Sequence, residues 1–244
     1  MKIIVSHDVD HIKYSEHYLS DLIVIKHFAR SYIEKFLGKI SWKEFILRHF
    51  DVLSNKMNNV KEIIDFNKSV GIKSSFFFGM SKGLGLNYNN SDAASLIKYV
   101  NDMGFEVGVH GIEYKDFFKM KEEYEIFKEI SGLKDFGIRM HYLRHNNSTL
   151  GKLSKIGYLY DSTLSDLSSA SVRQGIFEFP VHIMDCLIIN GPRGYQKLNL
   201  EQSKVKTLEI LEKAKKLNIN YFSFLFHDVY FSNIFLTWKQ WYVW

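Results

Sequence analysis

At 244 residues and 28.7 kDa, with 46% hydrophobic and 16% aromatic side chains, the chain has ample material for a core, which excludes a disordered polypeptide. The net charge of +5 and pI near 9.0 come from lysines spread along helical stretches such as residues 204–216, not from a dense basic run with interleaved aromatics, so no nucleic-acid footprint is evident. A single cysteine, Cys186, excludes an internal disulfide and a cysteine-rich zinc site, and without a leader-like start or a spanning apolar run the expectation is a cytoplasmic, reduced protein with no transmembrane segment.

The chain opens M-K-I-I-V-S-H-D-V-D-H-I-K: an apolar run at residues 3–5 stops in a cluster of His7, Asp8, Asp10 and His11. A strand inside a sheet is apolar on both faces and offers polar groups only at its end, so this reads as a buried strand feeding a functional site. Residues 15–50 show helical spacing, with Leu19, Leu22, Ile23, Ile25, Phe28, Ile33 and Phe36 apolar, Gly38 as a stop, and Ser41 with Glu44 as a capping box. That stretch is long for a crossover and reads as a helical insertion that roofs the site or forms a partner surface.

Helix is expected over residues 52–70 and 92–103, ended by Gly71 and Gly104, and as a charged helix over 115–130. Buried strands are expected at 72–78, at 105–109 with His110 at its end, at 136–142, and at 158–162. The Gly-rich loop 79–85 lacks the residue order of a phosphate-binding loop. A short helix at 149–156, a strand-like segment at 176–185 around Pro180, an amphipathic helix at 200–217, and a strand at 221–226 ending in His227 and Asp228 complete the pattern. Phe235, Trp238, Trp241, Tyr242 and Trp244 suit a docking helix, with a membrane-surface or partner patch as the alternative.

Strands and helices alternate at least five times with no linker between them, which predicts one α/β domain over residues 1–244 built on a parallel sheet. Polar residues at the ends of several strands favour a barrel over an open sheet, because a barrel gathers its functional groups on that face.

Asp8 and Asp10 are two apart, so a regular strand points both to one side, where a divalent cation relieves their repulsion; the alternative is that they cap a helix starting near Tyr14. His110, His141 and His227 each end a strand of their own, whereas His17, His27, His49, His145 and His182 read as surface or packing residues.

S-H-D-V-D-H, G-V-H-G, I-R-M-H-Y-L-R, G-Y-L-Y-D-S-T-L, E-F-P-V-H-I-M-D and F-L-F-H-D, in this order from Ser6 to about Asp228, resemble the motifs of the polysaccharide deacetylase family, carbohydrate esterase family 4 with the NodB homology domain. The likeness is greatest to a branch linked to bacterial surface-polysaccharide gene clusters. The resemblance implies a distorted (β/α) barrel, to which the helical insertion read above at about 15–50 is added. It also implies a divalent metal, zinc being the expected one, and a carbohydrate substrate from which an N-acetyl group is removed. Asp8 then takes the place of the general base, Asp10 that of a metal ligand, and His110 that of the first motif-two histidine; the second such place holds Tyr114. A neutral Tyr is a poor zinc ligand, so either another residue completes the shell or metal binding is weak. His141 is the first candidate, with His11 and His7 behind it. Arg139 matches the arginine that orients the base, Asp185 the residue that anchors that arginine, and His227 the proton donor to the leaving amine, while Arg144 is available for substrate charge. Tyr114, Tyr142 and Trp238 suit sugar stacking or the core. A carbohydrate-binding barrel without catalysis, or a deformylase or other amide hydrolase on the same scaffold, are the other readings. Metal stoichiometry and a comparison of acetylated with formylated amino sugars discriminate them.

Overall fold

A computed structural model describes residues 1–191 and 194–244. Five parallel strands lead the sheet: β1 (Lys2–Val9), β2 (Ser74–Phe78), β3 (Glu106–Gly111), β4 (Ile138–Met140) and β5 (Tyr160–Asp161). They are followed by β6 (Ser171–Arg173), β7 (Ile176–Glu178), β8 (Ile183–Met184) and β9 (Tyr221–His227). All nine form one sheet in the order β6-β7-β5-β4-β3-β2-β1-β9-β8, parallel throughout except for the β6–β7 hairpin.

Among the described residues no ladder joins the edge strands β6 and β8, so the curled sheet is closed by chain instead of by strand pairing. The segment through Pro180 leaves the flank of β5, where the N–H of Phe179 donates to the Asp161 carbonyl at 2.9 Å. It reaches the flank of β9, where the N–H of His182 donates to the Ser223 carbonyl at 3.1 Å. The strand-like segment expected at 176–185 is thus two short strands and a crossing, and Pro180, with no N–H to donate, sits where no ladder needs one. This is the distorted barrel that the motifs imply.

Helices α1 (Ile23–Phe36) and α2 (Trp42–Asp51) follow β1, and α3 (Val60–Ser69), α4 (Asn90–Asp102), α5 (Phe117–Ser131) and α6 (Thr149–Ile156) connect the next strands. The chain ends with α7 (Asp185–Ile189), α8 (Leu200–Lys216) and α9 (Leu236–Val243). None of the described helices is long and apolar enough to cross a membrane. Strand alternation sorts the side chains. Val9, Phe76, Phe78, Val107 and Val109 face the helices and are fully or almost fully buried against Ile63, Ile64, Ile97 and Phe127. Each such side chain contributes roughly 1.5–3 kcal/mol. Ser6, Asp8 and Phe77 turn instead to the barrel interior, where the Arg139 guanidinium lies 4.5 Å from the Phe77 ring centroid.

Several expectations are corrected. β1 runs past residues 3–5 and carries His7 and Asp8 within it. Helix does not fill 52–70: Asn55 takes a left-handed conformation (φ 52°), the N–H groups of Met57 and Asn58 both turn to the Ile12 carbonyl, and α3 starts only at Val60. These tertiary hydrogen bonds, and that of the Asn59 N–H to Asp228 Oδ2 at 2.8 Å, outweigh local helix propensity. The turn at Tyr14–His17 is preceded by Lys13 with no side-chain cap, so neither Asp8 nor Asp10 serves as a helix cap.

The insertion comprises α1, α2 and their flanking turns. Ser41 Oγ accepts the Glu44 N–H at 3.1 Å, but the expected capping box stays half-formed, because the Glu44 carboxylate accepts the Leu236 N–H at 3.2 Å instead. A buried ion pair, Arg48 Nη1 to Glu34 Oε2 at 2.6 Å with both side chains fully buried, ties the two helices together. Arg48 Nε donates onward to the Ile234 carbonyl at 2.7 Å, which fastens the insertion to the C-terminal segment. There Trp238 and Trp241 are buried, and Trp241 Nε1 donates to Thr207 Oγ1 of α8 at 2.9 Å, so α9 is a docking helix and Trp238 belongs to the core.

Candidate active site

Parallel register carries the ends of the central strands to one level: Asp8 lies beside His227 and Phe77, and His110 beside Arg139. The polar cluster therefore forms at the carboxyl face of the sheet from residues 8 to 227 of the chain. Two adjoining clefts of about 620 and 480 Å³ meet over it and share Asp10, His11, His141, Tyr142, Val229 and Tyr230.

Asp10, His110 and His141 converge. His110 Nε2 lies 3.2 Å from Asp10 Oδ1, His141 Nδ1 lies 3.4 Å from the same oxygen, and the two nitrogens are 2.9 Å apart. The other nitrogen of each ring faces a carbonyl: His110 Nδ1 that of Arg139 at 3.0 Å, and His141 Nε2 that of Leu84 at 3.2 Å. A carbonyl only accepts, so those nitrogens carry the protons and the ones facing Asp10 carry lone pairs. Asp10 Oδ1 is itself buried without a hydrogen-bond partner. Three acceptor atoms thus point at one place, an arrangement that calls for a cation. Without a metal a proton takes that place: burial opposes a charge on His110, but Asp8 and Asp10 outweigh it and raise its pKa above the ordinary value. The donor set, two imidazoles and a carboxylate, fits a catalytic zinc site with an open position.

His141 owes its place to local strain. It begins a tight turn after β4 in which Tyr142 and Leu143 both have positive φ, 56° and 53°, costly for bulky residues. Leu84, which supplies the carbonyl, also has a positive φ of 56° and is held between Gly83 and Gly85, which reach φ 144° and 94° at little cost. The Gly-rich loop 79–85 thus positions a histidine. Nothing in the sequence reading pointed to Leu84, because a backbone carbonyl leaves no signature in side-chain identity.

Asp8 sits beside the trio. Its Oδ2 is 3.6 Å from His110 Nε2, and its Oδ1 takes Arg139 Nη1 at 2.9 Å. Burial pushes this carboxyl up, but the positive charges of His110 and Arg139 outweigh burial and hold it below the usual carboxylate range. Arg139, fully buried, also donates to Ser6 Oγ, Ser162 Oγ and the Ser162 carbonyl, at 2.8, 2.8 and 3.0 Å. The two serines escaped the sequence reading because serine is common in strands and loops alike.

Asp185 does not anchor Arg139. Its Oδ1 accepts from His227 Nδ1 and its Oδ2 from the His227 backbone N–H, both at 2.8 Å. Asp185 starts α7, next to the end of β9 and on the far side of the site from β4, so a histidine partner is the one within reach. Burial opposes a charge on His227, yet Asp185 and then Asp10 push its imidazole well above the ordinary value. His227 Nε2 faces Asp10 Oδ2 at 3.9 Å. Cys186 completes a possible second donor group with Asp185 and His227, but both Asp185 oxygens are already engaged, and burial pushes the thiol up to about 11.

The reserve ligands are elsewhere. His7 points to the helices, fully buried against Phe76 and Tyr242. His11 lines the clefts but turns its ring toward His17, with centroids 4.7 Å apart. Tyr114 lies under the Arg144 guanidinium, 5.2 Å from its ring centroid, and packs on the core. Arg144 itself donates to the Ile112 and His141 carbonyls, which makes it a brace for the turn and not a group free for substrate charge.

No family model matches the sequence, and no curated protein matches it. In structure the chain aligns with a Mycobacterium smegmatis protein provisionally described as a polysaccharide deacetylase, at a TM-score of 0.64 and 15% identity, over 98% of this chain and 82% of that one. A CE4 family pseudoenzyme from Bacillus anthracis and a mutant of it with restored enzymatic activity align at 0.45 and 8% identity, over 99% of this chain and 60% and 62% of theirs. The chain therefore has the NodB-type polysaccharide deacetylase fold, a curled parallel sheet ringed by helices with its polar cluster at the carboxyl ends of the strands.

Proposed function

We propose that residues 1–244 act as one unit, a metal-dependent hydrolase that removes the N-acetyl group from an amino sugar, with a surface-polysaccharide precursor as the substrate class and zinc as the metal. The observation that carries this reading is the convergence of Asp10 Oδ1, His110 Nε2 and His141 Nδ1 with both histidine tautomers held by carbonyls. These three residues would hold the ion. When bound, it polarises the amide carbonyl and lowers the pKa of a water from 15.7 toward roughly 7.

The chain's own residues do the rest. Arg139 holds Asp8 Oδ1 and leaves Oδ2 turned toward His110, so the Asp8 carboxylate is aimed to take a proton from water at the trio. As the C–O bond forms and the C–N bond breaks, the departing nitrogen needs a proton. His227 supplies it from Nε2, because Asp185 fixes Nδ1 and turns Nε2 to the cleft. Tyr142 and Tyr230 offer aromatic faces for a sugar ring, and Leu143, Met184 and Leu187 form an apolar wall suited to the acetyl methyl group.

Acetate release from N-acetylated amino sugars, together with metal analysis, tests this assignment. Asp8→Asn is expected to lose about two to four decades of rate while keeping its metal, and unchanged activity would reject Asp8 as the base. A wild-type protein that binds sugar, carries no stoichiometric metal and releases no acetate or formate would place the chain among binding proteins instead.

A further inference from the structure

The helical insertion inverts the usual orientation of amphipathic helices, whose apolar stripe faces the core. On α1, Ile25 (64% exposed), Ala29, Tyr32 and Phe36 (86% exposed) stand at i, i+4, i+7 and i+11, one side of the helix, and all are exposed. On α2, Trp42, Ile46 and Phe50 stand at i, i+4 and i+8, and are likewise exposed. Of the 27 large hydrophobic side chains exposed among the described residues, 12 lie within residues 18–53, about one seventh of the chain. The inward sides are polar: Ser31, Glu34, Glu44 and Arg48 are the buried residues of the two helices. Such a surface is stable in water only at a cost, and its size marks it as a contact face.

Its charges have one sign. Among residues 18–56 every exposed charged side chain is a lysine; Lys56 is paired with the exposed Glu62, which leaves Lys26, Lys39 and Lys43 as the basic fringe. The acids of this stretch are buried or half-buried and engaged: Asp21 with His17 at 2.9 Å, Glu34 with Arg48, Glu44 with the Leu236 N–H, and Asp51 with Tyr14 at 2.7 Å. A second copy of the chain related by a two-fold axis would set lysines against lysines, whereas an anionic lipid surface satisfies both the apolar stripe and its basic fringe. Trp42, Tyr18 and Tyr32 are of the type that settles at the headgroup level.

We propose that the outward face of α1 and α2 docks on an anionic lipid bilayer as an interfacial contact that does not span it. Lys26 and Ala29 also line the 620 Å³ cleft with Asp10 and His141, so the docked face borders the mouth of the site.

Flotation of the full chain with vesicles tests this directly and needs no catalytic activity. The protein is expected to float with phosphatidylcholine vesicles containing phosphatidylglycerol, much less with pure phosphatidylcholine, and less at about 1 M salt, where screening acts within about 3 Å. The double variant Phe36→Gln/Phe50→Gln should lower binding by about tenfold or more, since it removes two apolar groups from the face. Both side chains are exposed, so its melting temperature should match wild type. Lys39→Glu/Lys43→Glu should lose binding to the anionic vesicles. Absence of flotation, or undiminished flotation of both variants, would overturn the proposal. So would sedimentation showing that Phe36→Gln/Phe50→Gln dissolves a dimer in a protein that does not float, since a second copy would then cover the face.

Discussion

Zinc added to chelator-treated protein should raise its melting temperature, and His141→Ala should abolish most of the rise. The three donor atoms stand 2.9 to 3.4 Å apart before any ion arrives, so binding needs little rearrangement and favours the folded state almost alone. At free zinc about 100-fold above Kd, linkage stabilises the fold by about 2.7 kcal/mol. For a chain of this size each kcal/mol moves the midpoint by about 2–4 °C, so the expected rise is roughly 5–11 °C. Losing an outer-shell partner alone costs about 10–100-fold, so losing one of three donors should weaken zinc by at least about 100-fold, which at the same concentration leaves at most about 0.4 kcal/mol, or 1–2 °C. Scanning calorimetry across a zinc titration, with metal counted by elemental analysis, gives both numbers, and His145→Ala, on an exposed turn, serves as the control that keeps the full shift. A wild-type protein indifferent to zinc, or a His141→Ala variant that shifts as far as wild type, would refute the assignment of the trio as a metal site.

Asp185→Asn removes the charge that fixes His227 and should lower kcat by about 100-fold or more with metal content intact, read by acetate-release kinetics beside elemental analysis; an unaltered kcat would remove Asp185 from the machinery. Glu34→Ala takes the near carboxylate from the buried Arg48 guanidinium, leaving it only Glu44 at 3.8 Å, and from Arg30 as well; it should cost about 3 kcal/mol in urea unfolding, while a loss below about 1 kcal/mol would mean that the pair does not hold the insertion. His7 is fully buried and burial, against the pull of the Phe226 carbonyl and Asp8, lowers its pKa to about 3. The unfolded chain therefore binds the extra proton between pH 6.5 and about 3, so stability is complete above that window and falls by about 1.4 kcal/mol per unit as pH drops through it. Urea midpoints at pH 7 and 5 should show a loss of about 2 kcal/mol from this residue that His7→Gln no longer shows, and equal pH dependence in the two proteins would contradict it.

The sequence by itself determined what repeats along the chain. Alternating apolar runs and helical patterns announced a parallel sheet, because each buried strand must be apolar on both faces and each crossover must cover it. Asp8 and Asp10, spaced by two, and His110 and His227, at the ends of apolar runs, announced a cluster at the carboxyl face. Short elements without periodicity stayed invisible, as in β6, three residues joined to β7 through a Gln174–Gly175 turn, and in the five-residue α7. The tertiary structure alone decided partnerships. Asp185 found His227 instead of Arg139 because β8 crosses to β9, the Leu84 carbonyl met His141 across 57 residues, and Ser6 and Ser162 became the cradle of Arg139. The insertion shows the limit most clearly: periodicity identified Ile25 and Phe36 as apolar positions of one helix, but not that their side faces outward. A helical period states which side chains share a face; only the buried Arg48–Glu34 pair, made between two helices, settled which way that face turns.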